Sequence, residues 1–389
     1  MSKEAPMRKA PIVIHTCALG ILWSLVIGHW SFAADKPAPT HQYSHGDIKI
    51  ALPSADEPRR KSVSVAAAED YLRQATRAWA GSKDCITCHT TGLYMQVRPA
   101  LTRQLGPPLP EMREFFVEKL NGFKTAKRED LLKATRPAQV IYLAAGLAEW
   151  DAHVTRKLSP ETEQAIDEMF KLQLDSGTWG SLDCWPPYES DAYHLATVAA
   201  MTVGTAPDWL KKANAEQRAN VERLGAYLRQ TTPPHDYGRT LLLGASTRMP
   251  GLITSQQKKE LIELLATHQR ADGGWSLRTF STPEMWGRGN RAAKLRAEPE
   301  FETSPSDGHM TGLALVVLRE AGVSAKDARI QRGVKWLKEN QRESGRWWTR
   351  SLNTDTYHFI TYSGTAFPVL ALGLCGELPA QPAARAALR

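Results

Sequence analysis

Hydrophobic and polar positions along this chain follow two rhythms. In 160–174, 215–230, 254–269 and 326–341 the charged residues gather on one face of a helical repeat. That pattern predicts helices that lie on a core with one side in water. Between them, 138–149, 195–204, 241–245, 311–318 and 365–374 are apolar nearly all round, and a helix apolar on every side must be covered on every side. Adding 62–79 with 92–104, and 109–123 with 136–151, gives six outer–inner pairs. Six outer helices around six inner ones predict an all-α fold, a closed α6/α6 toroid over residues 61–378. One end of every inner helix then faces a common rim. The same alternation would also build an open α-solenoid.

A repeat punctuates the outer helices. Gln173 is followed by Gly177 and Trp179, Gln269 by Gly273 and Trp275, and Gln341 by Gly345 and Trp347. The spacing is the same each time, and weaker relatives occur around Gln74 with Trp79 and around Gln230. The glutamine amide is expected to serve the unpaired carbonyls at the end of its helix. The glycine permits the left-handed turn that closes it, and the tryptophan is expected to lie over the next repeat with its N–H as a polar handle. These units resemble the QW motifs of the squalene–hopene cyclase, oxidosqualene cyclase and protein prenyltransferase superfamily. The resemblance implies a toroid with a central cavity that binds or transforms an isoprenoid or other apolar small molecule. Because that superfamily also contains non-catalytic binding domains, a binding or assembly module is the other reading.

Of the 389 residues, 42% are hydrophobic and 23% charged, which excludes a disordered or fibrous chain. The net charge is +8, and Lys3, Arg8 and Lys9 crowd part of it at the N-terminus. The remaining basic residues are interspersed with acidic ones, so nucleic acid is not an expected partner. The charged start, the apolar stretch from Pro11 to Trp30 and the small residues up to Ala34 predict a signal peptide over 1–34 and an exported, periplasmic or secreted protein. An uncleaved N-terminal anchor is the alternative, and contact with a membrane surface fits either. Residues 35–60 read as a disordered linker and 379–389 as a disordered tail. Ser276 to Pro305 is a long loop without period, either a lid or a surface insertion.

The connections into the inner helices hold the reactive residues. Cys85-Ile-Thr-Cys88-His89 has the spacing at which two thiols form thioethers with haem vinyl groups and the histidine ligates the iron. The pentapeptide resembles a c-type cytochrome attachment site, which implies a redox protein with haem c at the rim. Such attachment occurs outside the bacterial cytoplasm, and Met95 or a rim histidine would supply the second axial ligand. A redox disulfide and a partial metal site are the other readings, while Cys184 and Cys375 either pair or are buried. Glu189-Ser190-Asp191-Ala192 stands where the cyclases carry an Asp-x-Asp-Asp acid motif. The resemblance implies Asp191 as proton donor, with Glu189 raising its pKa and His194 orienting it; the fourth carboxylate is missing. Asp307-Gly-His309 and His358 stand where the prenyltransferases bind zinc, which implies a zinc or other divalent metal site without the family's cysteine. Helix capping is the plain alternative for the aspartates, including those of His235-Asp236 and Asp355.

Overall fold

The computed structural model describes residues 39–378, apart from Glu189, Ser190 and Glu302. The predicted signal peptide and C-terminal tail lie outside the described residues. The main helices are α1 (Val65–Lys83), α2 (Thr91–Val97), α3 (Pro110–Thr125), α4 (Arg136–Trp150), α5 (Pro160–Lys171), α6 (Ala192–Thr205), α7 (Ala215–Gln230), α8 (Asp236–Arg248), α9 (Ser255–Thr267), α10 (Gly308–Glu320), α11 (Ala328–Asn340) and α12 (Ile360–Leu374). The even-numbered helices pack in the cyclic order α2–α4–α6–α8–α10–α12 and back to α2. The ring is closed, so the fold is an all-α toroid and not a solenoid. Burial separates the two helix classes as the apolar pattern requires. Every residue of α4 from Val140 to Trp150 is buried, whereas α11 buries only the stripe Ile330, Gly333, Val334, Trp336 and Leu337. Among the described residues no helix is long and apolar enough to cross a membrane.

The glutamine and tryptophan of the repeat exchange the roles expected from the sequence. Each indole N–H reaches back to its own outer helix, from Trp179 to Met169 O (2.8 Å), Trp275 to Leu265 O (2.7 Å) and Trp347 to Leu337 O (2.8 Å). It is the indole that satisfies the carbonyls a helix end leaves unpaired. Each glutamine amide instead reaches forward to the next outer helix. Gln173 donates to Asn220 O (3.1 Å) and Gln269 to Arg329 O (2.8 Å), while Gln341 donates to Ser64 O (2.9 Å) and accepts from Ser64 N–H (2.6 Å). That last pair joins the final repeat to the first and closes the outer layer. Gly345 has φ of +87°, and a Cβ there would meet the Ala67 backbone at 2.5 Å, so only glycine fits this junction. The weaker relatives do not build the unit: Gln74 bonds Asp70 on the surface, and Trp79 lies within α1 itself.

Two regions differ from expectation. Inside the predicted linker, strands β1 (His41–His45) and β2 (Ile48–Ala51) form an antiparallel hairpin that packs on α1. It places Tyr43 among Tyr71, Trp79 and Tyr362, with ring centroids 6.2–6.5 Å away, which stabilises strands too short to announce themselves by alternation. The predicted lid is pinned down. Arg278 and Glu298, both nearly fully buried, form a forked ion pair (2.7 and 3.1 Å), and Arg278 also donates to Arg350 O and Ser351 O. Trp286 from the same segment is fully buried against His235 (4.9 Å) and Tyr237 (5.6 Å).

Candidate functional site at the toroid mouth

Each inner helix starts at the same rim because each follows an outer helix running the opposite way. The loops entering α2, α6, α8, α10 and α12 therefore bring Cys85–His89, Asp191, His235, Asp307 and His358 to one end of the toroid. A cavity of about 290 Å³ opens there, between the Cys85–His89 loop, the start of α4, the 185–188 segment and the entry to α12. Its apolar wall includes Ile86, Trp185, Pro186, Tyr188, Phe359 and Ile360, and Cys85, Cys88 and His89 all face it. Cys85 and Cys88 are not joined to each other, and Cys184 and Cys375 do not pair. Burial raises the pKa of the half-buried Cys85 thiol.

His89 is held on three sides. Its ring stacks on Phe359 (5.0 Å, 8° between planes) and meets Trp79 edge-on at 4.7 Å. Its Nδ1 lies 2.8 Å from Thr90 Oγ1, which is itself 3.2 Å from the Tyr43 hydroxyl. Burial lowers its pKa to about 4, so the imidazole is neutral at physiological pH.

Beneath the mouth the lumen is nearly full. Tyr188 lines both the mouth cavity and a second chamber of about 90 Å³ deeper in the ring, whose far end carries Glu149, Arg248 and Glu320. The larger of these two spaces lies at the rim, whereas the cyclase resemblance implies one at the centre. Filling the lumen are two tyrosine–histidine pairs, Tyr142 with His194 (3.1 Å) and Tyr237 with His309 (3.2 Å). His194 Nδ1 donates to Pro187 O (3.0 Å), so its Nε2 accepts from Tyr142. Ser363 gives its proton to Ile360 O and accepts from His309 Nδ1 (2.7 Å), which leaves His309 Nε2 to accept from Tyr237. Burial lowers both histidines' pKa values, His309 to about 3.

The predicted acid site is a capped helix start. Asp191 accepts from the His194 N–H (2.8 Å) as N-cap of α6, and its second oxygen lies 3.4 Å from His235 Nε2. His235 Nδ1 accepts from Gly238 N–H (3.0 Å), so Nε2 carries the proton that faces Asp191. Burial pushes the Asp191 carboxyl up, but His235 and the His194 amide outweigh it and hold it below the usual aspartate range. An acid catalyst needs the opposite shift. Asp191 does not line the mouth cavity or the inner chamber; His194 lines only the inner chamber, and Glu189 lies outside the described residues.

The predicted metal trio does not converge. Asp307 spends one oxygen on Met310 N–H (2.8 Å) and the other on Leu277 N–H (2.6 Å), while burial raises its pKa to about 6. Both His309 nitrogens are engaged, as described above, and His358 turns away on a left-handed backbone (φ +47°) to pack on Trp348 at 4.8 Å. Among the described residues no three His, Cys, Asp or Glu side chains are grouped to hold a metal ion. Sequence reasoning missed Trp185, Tyr188 and Phe359. Their only signal is aromatic side chains in loops flanking the quoted motifs.

Residues 236–376 match the family described as the squalene-hopene cyclase C-terminal domain. Among solved structures the chain is similar to two variants of the type II terpene cyclase MstE from Scytonema, each in complex with geranylgeranyl dihydroxybenzoate. The first has 12% identity and a TM-score of 0.46, covering 80% of this chain and 96% of that one. The second has 12% identity and a TM-score of 0.44, covering 79% and 96%. A glycosidase variant follows at 12% identity, 80% and 85% coverage and a TM-score of 0.38. No curated protein matches by sequence.

Proposed function

We propose that this protein binds an apolar small molecule of isoprenoid or comparable character at the mouth of its toroid, without cyclising it in the centre. The observation that carries the reading is the mouth cavity itself. At about 290 Å³ it falls at the lower end of small-molecule sites, which begin near ~300 Å³, and its wall is apolar and aromatic with a few polar groups. The cyclase family match over 236–376 favours an isoprenoid-like ligand. The ionised, capping Asp191 and the small inner chamber weigh against proton-initiated cyclisation.

Trp185 lines the cavity and is 41% exposed, so it serves as a reporter. Titration with farnesol is expected to quench its fluorescence saturably, and Trp185→Phe should remove that component. Ala138, buried on α4 and lining the cavity, marks the second arm. Ala138→Phe should fill the site and abolish quenching while the helical circular dichroism persists. Quenching that survives in a folded Ala138→Phe protein would place the ligand elsewhere.

A further inference from the structure

We propose that the ligand of the mouth cavity is haem, bound to Cys85 and Cys88 through thioethers and to His89 through its iron. The inference rests on the reading of the mouth as an apolar ligand site and assigns it haem in place of an isoprenoid, farnesol then being a probe of the haem-free site only. Three features of the geometry carry it. Both thiols and the imidazole of one pentapeptide face a single cavity, and neither thiol is consumed in a disulfide with the other. The imidazole is oriented as axial ligands are: its Nδ1 is engaged by Thr90 Oγ1 at 2.8 Å, and its Nε2 makes no hydrogen bond among the described residues. A proton on Nδ1, donated to that hydroxyl, leaves the Nε2 lone pair for a metal. Finally, the same cavity is lined by Trp185, Pro186, Tyr188 and Ile360, which suit a flat apolar macrocycle. A redox disulfide needs none of these aromatic walls, and a zinc site would need further ligands that the described residues of the cavity do not offer.

The attachment chemistry balances within the reactants. Each thiol S–H adds across one vinyl C=C of ferrous protohaem. Sulfur bonds to the carbon next to the porphyrin ring and the thiol proton ends on the terminal carbon, so no oxidant is consumed. Among the described residues His89 is the only imidazole on the cavity wall, and no methionine lines it. Met95, the sequence candidate for the opposite axial position, is fully buried and does not line the cavity, and His358 does not line it either. With none of the described residues offering a second axial ligand, the ferrous protein would be expected to bind carbon monoxide.

The test uses the full chain, including its first 34 residues, made in a bacterium that matures c-type cytochromes, beside a reference cytochrome in the same cells. Expected is one haem per chain that stays with the polypeptide through acidified organic solvent, with a Soret band that shifts on adding carbon monoxide to the reduced protein. Cys85→Ala and Cys88→Ala should each move the alkaline pyridine spectrum toward that of a singly attached haem. The double variant should release its haem to solvent, His89→Ala should keep the covalent haem with an altered spectrum, and Cys375→Ser should change nothing. A folded protein without covalent haem beside a matured reference would overturn the proposal. If farnesol still quenches Trp185 in that protein, only the identity of the ligand falls. If quenching is absent too, the mouth-site reading falls with it.

Discussion

Replacing Gln341 with alanine should open the toroid at its seam. The Gln341 side chain is fully buried, donates to Ser64 O and Gly345 O, and accepts from Ser64 N–H. Truncation leaves the Gly345 carbonyl and the Ser64 N–H without partners, while Ser64 O keeps its bond from the Ala68 N–H (3.2 Å). A stranded group costs about 1–3 kcal/mol, and Ser64 is only half-buried, so water relieves part of the penalty. The sum for the two groups is about 2–4 kcal/mol. The same substitution at Gln173 gives an internal control. There the amide donates to Gly177 O and Asn220 O, while the buried Oε1 has no partner to lose. Asn220 O keeps its bond within α7, so Gln173→Ala strands only Gly177 O and should cost about 1–2 kcal/mol, with the loss of side-chain volume common to both variants. Urea denaturation of the two proteins measures the difference. A shallower transition in Gln341→Ala would further show that α1 and α11 separate before the rest unfolds. Equal losses at the two sites, or a larger loss at Gln173, would refute the claim that the glutamines act by joining adjacent repeats.

Three other outcomes follow from the geometry. Trp347→Phe should cost about 1–3 kcal/mol in chemical denaturation, since it strands the buried Leu337 carbonyl while keeping most of the ring. Asp307, pushed by burial to about 6, binds a proton more tightly folded than unfolded, so its contribution to stability is greatest below pH 4 and is lost as pH rises through 6. Asp307→Asn should therefore gain on the wild type across that window by up to about 3 kcal/mol, and urea midpoints at pH 4 and 7 that move in parallel would contradict this. Asp191 is shifted the other way, so its stabilisation is present above its unfolded pKa and lost as pH falls through the lower folded value. Asp191→Asn, which still caps α6, should flatten that acid limb, change stability at pH 7 by about 1 kcal/mol or less, and leave farnesol quenching intact.

How far the sequence foretells this molecule depends on the range of the interaction. The alternation of one-faced and all-round apolar helices is local, and it specifies outer and inner layers because burial is decided residue by residue along 3.6-residue turns. The repeat's spacing is equally visible. Its bonding is not, because whether Gln173 turns back to its own helix or forward to Asn220 depends on where the next helix lies. The aspartates before the inner helices carry the same ambiguity: Asp191 and Asp307 look alike in sequence as caps or as reactive groups. Parts distant in the chain decide their charge: His235 holds Asp191 below the usual aspartate range, while burial among packed elements raises Asp307 despite the Leu277 amide. The hairpin at 41–51 escapes notice because a four-residue strand has too few alternations to show a period. The mouth cavity escapes for another reason. Its wall takes single residues from several separated loops, and no segment contains enough of it to leave a pattern.

The seam at Gln341 and Ser64 also makes the order of the repeats a matter of convention. In a ring whose last outer helix grips its first, each repeat has two neighbours and none is structurally terminal. The covalent break between 378 and 39 is then only one of several places where the described chain could begin. The turn around Gly251, which is exposed with open space about its Cα, lies between α8 and α9 and away from the mouth. A circular permutant that starts there, with a flexible linker across the old ends, should assemble the same ring. In it, the Cys85–His89 loop would move from the beginning of the polypeptide to its latter half, and the pentapeptide would be synthesised after two of the three tryptophan repeats.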